Sequence, residues 1–221
     1  MLTEKKKEFI EFMLSAQVLR FGHFVTKSGR NTQYFVNTGN YKTGAQLSRL
    51  GSYYAGLVKD TVGGEFEAMF GPAYKGIPLA SACSIALYND YGIDKPYFFN
   101  RKEVKDHGEG GGTVGYAPQD GDRIRHHRGR DHPPAPAVRE TMPILKACAD
   151  VQVPHMFISV DRCEVGHTPG KTAIMEVEEE FGVKVHPIVT VVDIHEYLKE
   201  QGTDPELLKA MEGYMEQYCV L

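Results

Sequence analysis

Short apolar runs recur along this chain, and a helix-forming stretch separates each run from the next. The runs are residues 66–70, 96–99, 155–160 and 185–192, and the helical stretches are 43–60, 76–89, 137–149, 170–181 and 193–201, with a last helix opening at Asp204-Pro205. A strand buried on both faces reads as a near-continuous apolar run rather than an alternating one. Apolar strands alternating with helices predict an α/β fold, a mostly parallel central sheet flanked by helices. In such sheets ligands bind beyond the carboxyl ends of the strands. The polar residues that follow each run are therefore the ones that bear on function.

The N-terminal stretch has a different pattern. Thr3 can cap a helix whose positive end suits Glu4, and Phe9, Ile10, Phe12, Met13 and Leu14 support a helix with an apolar face. Lys6 stands where a full capping box would carry Glu or Gln, so the start signal is partial. Residues 18–26 and 33–37 predict two short strands around the turn Lys27-Ser28-Gly29-Arg30.

Charge and cysteine usage narrow the function classes. The 221 residues carry a formal net charge of −4, and the pI is near 6.1, against the basic balance of a dedicated nucleic-acid binder. No apolar run is long enough to span a membrane, and the first residues lack the apolar core of a secretory signal. Cys83, Cys148, Cys163 and Cys219 show no C-x-x-C spacing. Separate reduced thiols and a cytoplasmic location are expected.

Cations follow three of the strands. Gly71-Pro72-Ala73-Tyr74-Lys75-Gly76 follows the first, Asn100-Arg101-Lys102-Glu103-Val104-Lys105-Asp106-His107 the second, and Asp161-Arg162-Cys163-Glu164 the third. One such cation is an ordinary solvated charge, and Arg162 has Asp161 and Glu164 beside it as salt-bridge partners. Cations at several strand ends describe a pocket for a multiply anionic ligand, most simply phosphates. The loop from Arg101 joins Lys102, Lys105 and His107 to Gly108-Glu109-Gly110-Gly111-Gly112, as a mobile lid closing over an anion would.

These blocks, with Phe24-Val25-Thr26-Lys27-Ser28-Gly29-Arg30 and Tyr34-Phe35, resemble the orotate phosphoribosyltransferase family over nearly the whole chain. The resemblance implies a single phosphoribosyltransferase domain over 1–221 with the type I fold. It implies a small hood formed largely by residues 1–42 and a catalytic lid over 100–113. It places Lys27, Tyr74, Lys75, Arg101, Lys102, Lys105 and His107 on phosphoribosyl pyrophosphate, with Lys102, Lys105 and His107 as catalytic lid residues. Tyr34 and Phe35 flank the orotate ring, and Arg162 pairs with the orotate carboxylate. Mg²⁺ as cofactor and a homodimer whose lid completes the neighbouring site are implied as well, with no nucleic-acid or membrane partner. The other functional reading is a ligand-binding regulator of the same fold without turnover.

One block departs from the resemblance. The family carries a strand, two adjacent acidic residues and a Thr-Ala-Gly-Thr-like loop running into a helix. The acids hold the ribose hydroxyls, and the loop amides hold the 5′-phosphate. Residues 125–137 read Arg-His-His-Arg-Gly-Arg-Asp-His-Pro-Pro-Ala-Pro-Ala instead, with neither an apolar strand nor an acidic pair. Five of the ten arginines and three of the nine histidines fall between Arg123 and Arg139. One choice of codons for this segment, relieved of three bases, reads Val-Ile-Ile-Glu-Asp-Val-Ile-Thr-Ala-Gly-Thr-Ala. A frameshifted translation of the phosphate-binding loop is therefore expected here. Two other readings are weaker. His126, His127, Asp131 and His132 match no zinc spacing, and one basic run on an acidic chain is a poor nucleic-acid footprint. Gly166-His167-Thr168-Pro169-Gly170-Lys171-Thr172 is one residue short of a nucleotide P-loop and reads as a turn and helix start.

Overall fold

The computed structural model describes residues 2–26, 29–101, 112–128 and 134–221. Helix α1 (Glu4–Ser15) opens the chain with Thr3 as its cap. Strands β1 (Leu19–Val25) and β2 (Asn31–Val36) then pair as an antiparallel ribbon separate from the main sheet. The main body runs α2 (Gly44–Val62), β3 (Ala68–Phe70), α3 (Gly76–Tyr91), β4 (Tyr97–Asn100), β5 (Thr113–Gly115) and β6 (Arg123–Arg128), then α4 (Pro134–Cys148), β7 (Gln152–Asp161), α5 (Ala173–Phe181), β8 (Lys184–Thr190), α6 (Val191–Glu200) and α7 (Pro205–Tyr218). Every apolar run and helical stretch of the sequence becomes an element of the expected type. The segment 166–171 is a turn leading to Thr172, which caps α5, as its spacing suggested.

The six-stranded sheet has the order β5-β4-β3-β6-β7-β8. All neighbours are parallel except the β4–β5 edge. Both faces are covered. Leu50, Tyr54 and Val58 of α2, Leu79 and Leu87 of α3 and the apolar faces of α1, α6 and α7 cover one face. Val138, Met142 and Leu145 of α4 and Val177 of α5 cover the other. Helices α2 and α3 touch at Gly51, where a Cβ would lie 2.6 Å from the Ala82 carbonyl oxygen, so only glycine fits. The chain leaves β3 toward β4 on one side and leaves β6 toward β7 on the other. The strand order therefore reverses between β3 and β6, and the crevice of such a sheet opens there.

Residues 125–128 form part of a strand, β6, although their sequence is not that of an apolar strand. The segment enters the very centre of the sheet, with Phe70 beside His126 and Phe157 beside His127 in register. Arg125 is 2% exposed, and His126 and His127 are fully buried. Adjacent strand residues face opposite sides of a sheet. His126 accordingly packs on Phe70 and lies 3.2 Å from the Thr141 hydroxyl, while His127 stacks on Phe157 and meets the edge of Tyr54. The two histidines cannot share a metal ion from opposite faces, and among the described residues no group of three or more His, Cys, Asp or Glu side chains could hold one. Both ring nitrogens of His127, and Nε and Nη1 of Arg125, are enclosed with no partner among the described residues. Arg125 has one bond, from Nη2 to the Glu65 carbonyl at 2.7 Å. Each enclosed polar group without a partner costs about 1–3 kcal/mol.

Burial pushes the His127 pKa down to about 3, with the Arg125 charge adding to the effect. On the same face His155 Nδ1 and His186 Nε2 lie 2.8 Å apart. Burial, with Arg125 nearby, lowers His155; burial, with His155 and Lys184, lowers His186 to about 4 against a weaker pull from Glu178. A histidine kept neutral by the fold takes up its proton on unfolding. Between the folded and the ordinary value of 6.5 the unfolded chain binds more protons, so stability falls as pH falls. Denaturant unfolding at pH 7.5 and 5.5 should show a loss below pH 6.5 approaching about 1.4 kcal/mol per pH unit for each such histidine. His127→Leu should stabilise the chain at pH 7.5 and flatten that slope. An unchanged slope would show that His127 does not stay neutral inside the fold.

Candidate active site

The carboxyl ends of β3, β4, β6 and β7 share one edge of the sheet. Loop 71–76 is closed tightly by its two glycines. A Cβ on Gly71 would strike the Gly76 carbonyl oxygen and approach Ala80 Cβ to 2.8 Å, and one on Gly76 would strike Pro72 Cδ. The Ala73–Tyr74 peptide is cis. Helix α3 starts from this loop with no side-chain cap on its first amides, a start favourable to an anion. Asn100, at the end of β4 and buried, accepts the Ala73 amide on Oδ1 at 2.8 Å and so ties the two strand ends together. Tyr74 is 66% exposed and Lys75 is exposed beside it. Arg101 is half-buried, and its amide donates to the Gly112 carbonyl at 2.7 Å, which joins the two ends of the segment between them. Lys27, Lys102, Lys105 and His107 lie outside the described residues.

Arg162 leaves the end of β7 and reaches the β1–β2 ribbon. Its guanidinium carbon sits 4.7 Å from the centre of the Tyr34 ring. Nε pairs with Glu164 Oε1 at 2.5 Å, and Nη2 donates to the Tyr214 hydroxyl at 3.0 Å. Burial opposes the charge, but Tyr34, Glu164 and Tyr214 around it raise its pKa, so it stays a cation. Of its two neighbours in sequence, Glu164 is thus the salt-bridge partner. Tyr34 is fully enclosed, its hydroxyl without a partner among the described residues. Tyr34, expected beside a pyrimidine, lies enclosed under the Arg162 guanidinium and supports it. Phe35 points to the other side of β2, half-buried, stacked on Phe24 with centroids 5.4 Å apart and approached by the Arg20 guanidinium at 5.6 Å.

Asn100, Glu164 and Tyr214 are the members of this site that strand-end reasoning missed or passed over. Glu164 was visible only as a neighbour in sequence. Tyr214 comes from α7, 52 residues beyond Arg162, and no local pattern marks it.

A reversed parallel sheet with tight, cation-bearing loops along its carboxyl edge is the fold of the phosphoribosyltransferases. The crystal structure of orotate phosphoribosyltransferase from Francisella tularensis shares it with a TM-score of 0.85 and 35% identity, covering 96% of this chain and 99% of that one. No protein-family model matches the chain. Full-length relatives do. The orotate phosphoribosyltransferase of Clostridium acetobutylicum is 48% identical over 208 residues, covering 94% of this chain and 92% of that protein. The enzyme of Lachnoclostridium phytofermentans is 45% identical over 226 residues, covering 99% of each. The chain belongs to the orotate phosphoribosyltransferase family.

Asn100 gives a test of how this edge is held. Asn100→Ala leaves the Ala73 amide without its acceptor, which should cost about 1–2 kcal/mol. Hydrogen exchange should rise at 73–76 and stay unchanged in α7. Unaltered protection at Ala73 would show that other bonds hold the loop.

Proposed function

We propose that this chain transfers the phosphoribosyl group of 5-phosphoribosyl 1-pyrophosphate to orotate, giving orotidine 5′-monophosphate and pyrophosphate in UMP biosynthesis. Among its own residues, the observation that carries this reading is the oriented Arg162 fork on the same sheet edge as loop 71–76 and Arg101. A planar guanidinium suits the planar carboxylate of orotate. The relatives named above are all enzymes of this activity, which disfavours the reading as a regulator without turnover.

In the reaction the anomeric C–O bond breaks with its electron pair leaving on pyrophosphate, and a ring nitrogen of orotate, its proton given up to solvent, bonds to the same carbon. Positive charge develops on the ribose and negative charge on the leaving group. Lys27, Tyr74, Lys75 and Arg101 are assigned to the phosphates of the substrate. Lys102, Lys105 and His107 are assigned to a lid over 100–113 that meets the leaving charge and excludes water. Phe35 is assigned to the side of the orotate ring. Residues 1–42, with the β1–β2 ribbon, serve as the hood of a single domain. Mg²⁺ prefers oxygen ligands and binds through substrate phosphates rather than an all-protein cage. The described residues form no such cage, and none of these assignments runs through the ion. A homodimer in the cytoplasm, with each lid completing the neighbouring site, completes the reading. Among the described residues no helix is long and apolar enough to cross a membrane.

Orotate and uracil differ by the carboxylate alone, which makes them a direct test of Arg162. Arg162→Lys keeps the charge and loses the fork, so kcat/KM for orotate should fall about tenfold or more. The residual rate with uracil should change little. Equal fractional losses for the two pyrimidines would remove the carboxylate from the role of Arg162.

Residues 125–137 are proposed to be a frameshifted reading of the phosphate-binding loop. The support is the position of β6. It occupies a central apolar strand site between Phe70 and Phe157, while Arg125 and His127 bring nitrogens into it that find no partner among the described residues. A strand reading Val-Ile-Ile would fill the same three positions without polar cost. The carboxyl end of β6 falls at the reversal of strand order, where a phosphate would be expected. A chain carrying Val-Ile-Ile-Glu-Asp-Val-Ile-Thr-Ala-Gly-Thr-Ala in place of 125–137 should melt about 10 °C higher, from several kcal/mol of relieved burial. It should also bind phosphoribosyl pyrophosphate far more tightly. Full activity and equal stability in the chain as written, or a gene sequence that encodes 125–137 in frame with other codons, would refute the frameshift.

A further inference from the structure

Arg162 is held in a closed ring of polar contacts. Nε meets Glu164 Oε1 in an ion pair whose side chains are each 16% exposed. Nη2 donates to the Tyr214 hydroxyl, and that hydroxyl donates in turn to Glu164 Oε1 at 2.6 Å. Below the ring of contacts, Tyr214 meets Tyr34 edge-on, with centroids 5.9 Å apart at 86°. Nη1 bonds to no described residue. The guanidinium is thus occupied on one side and has no bond to a described residue on the other.

The backbone beneath Arg162 is fixed from the same direction. The chain end after α7 pairs with the stretch after β7: the Val165 amide donates to the Tyr218 carbonyl at 2.8 Å and the Val220 amide to the Cys163 carbonyl at 2.9 Å. The Cys219 thiol donates to the Arg162 carbonyl at 3.3 Å. Tyr218 also lies under the Arg30 guanidinium, 5.0 Å from its ring centre, next to the β1–β2 turn. The C-terminal helix therefore braces both the Arg162 loop and the ribbon that carries Tyr34.

We propose that Tyr214, together with Glu164, is a positioning residue that aims the other side of the Arg162 fork at the orotate carboxylate. An unrestrained arginine loses rotamer freedom when it is fixed. A fork already held by Glu164 and Tyr214 avoids that loss at the moment of binding. Glu164 also neutralises much of the guanidinium charge. Discrimination between orotate and an uncarboxylated pyrimidine then rests on geometry more than on net charge, and geometry is what the Tyr214 hydroxyl supplies. The inference rests on the functional reading given above and adds a residue to it.

Tyr214→Phe removes one oxygen and leaves the ring contacts with Tyr34 and Tyr218 in place. Orotate binding is titrated directly in the unaltered chain, Tyr214→Phe, Arg162→Ala and the double variant, with melting temperatures alongside. Tyr214→Phe should weaken orotate binding about fivefold to tenfold, leave phosphoribosyl pyrophosphate binding unchanged, lower the melting temperature only modestly, and have no effect on orotate binding once Arg162 is alanine. Equal weakening in both backgrounds, or none in either, would overturn the positioning role. Should Arg162→Ala fail to fold, the preference for orotate over uracil is read in Tyr214→Phe alone, where a fall supports the role and an unchanged preference overturns it. Failure of the unaltered chain and of the chain with the restored segment to bind orotate would overturn the functional reading itself, and this inference with it.

Discussion

Covering both faces of a parallel sheet with helices leaves its strand ends as the place where chemistry can happen. The central strands β3, β6 and β7 are enclosed by α2 and α3 on one side and by α4 and α5 on the other. Side chains inside that sandwich are committed to packing. The loops at the carboxyl edge are free of that commitment, and they carry Tyr74, Lys75, Arg101 and Arg162. The tight closure of loop 71–76 and its bond to Asn100 follow from the same geometry. Two parallel neighbours end side by side about 4.8 Å apart, so a short polar side chain spans them.

The same constraint makes β6 the most exacting segment of the chain. A strand with parallel neighbours on both sides and helices above and below has no solvent to lend to a polar side chain. Ile124 meets that demand, and Arg125, His126 and His127 do not. The backbone ladder of β6 nevertheless forms, because main-chain pairing with β3 and β7 is indifferent to side-chain identity. The cost appears instead in enclosed nitrogens and in histidines held neutral.

Arg162 solves the opposite problem, a charge that must be largely buried and still available. Glu164 forms an ion pair with one side of the guanidinium, Tyr214 accepts a hydrogen bond from it, and the Tyr34 ring supports its face. Three parts of the chain distant in sequence meet there: the ribbon, the end of β7, and α7 with the chain end that follows it. The ribbon is thereby tied to the sheet.

The alternation of apolar runs and helices was enough to read α/β class, parallel sheet, most element positions and the edge where the cations gather. Those features depend on local periodicity, which a linear chain displays directly. It also displayed the misfit of 125–137, since apolar strand and polar segment differ in composition at a glance. It did not show that this misfit forms the middle strand, because strand order depends on pairings made across the whole chain. Nor did it show that Tyr34 is enclosed, or that Asn100 and Tyr214 serve the site. Tyr34 and Phe35 are equal in sequence, and their opposite fates depend on which face of the ribbon meets α7. Glu164 and Tyr214 act on Arg162 because β7 and α7 end at the same place, a juxtaposition that exists only after the chain has closed on itself.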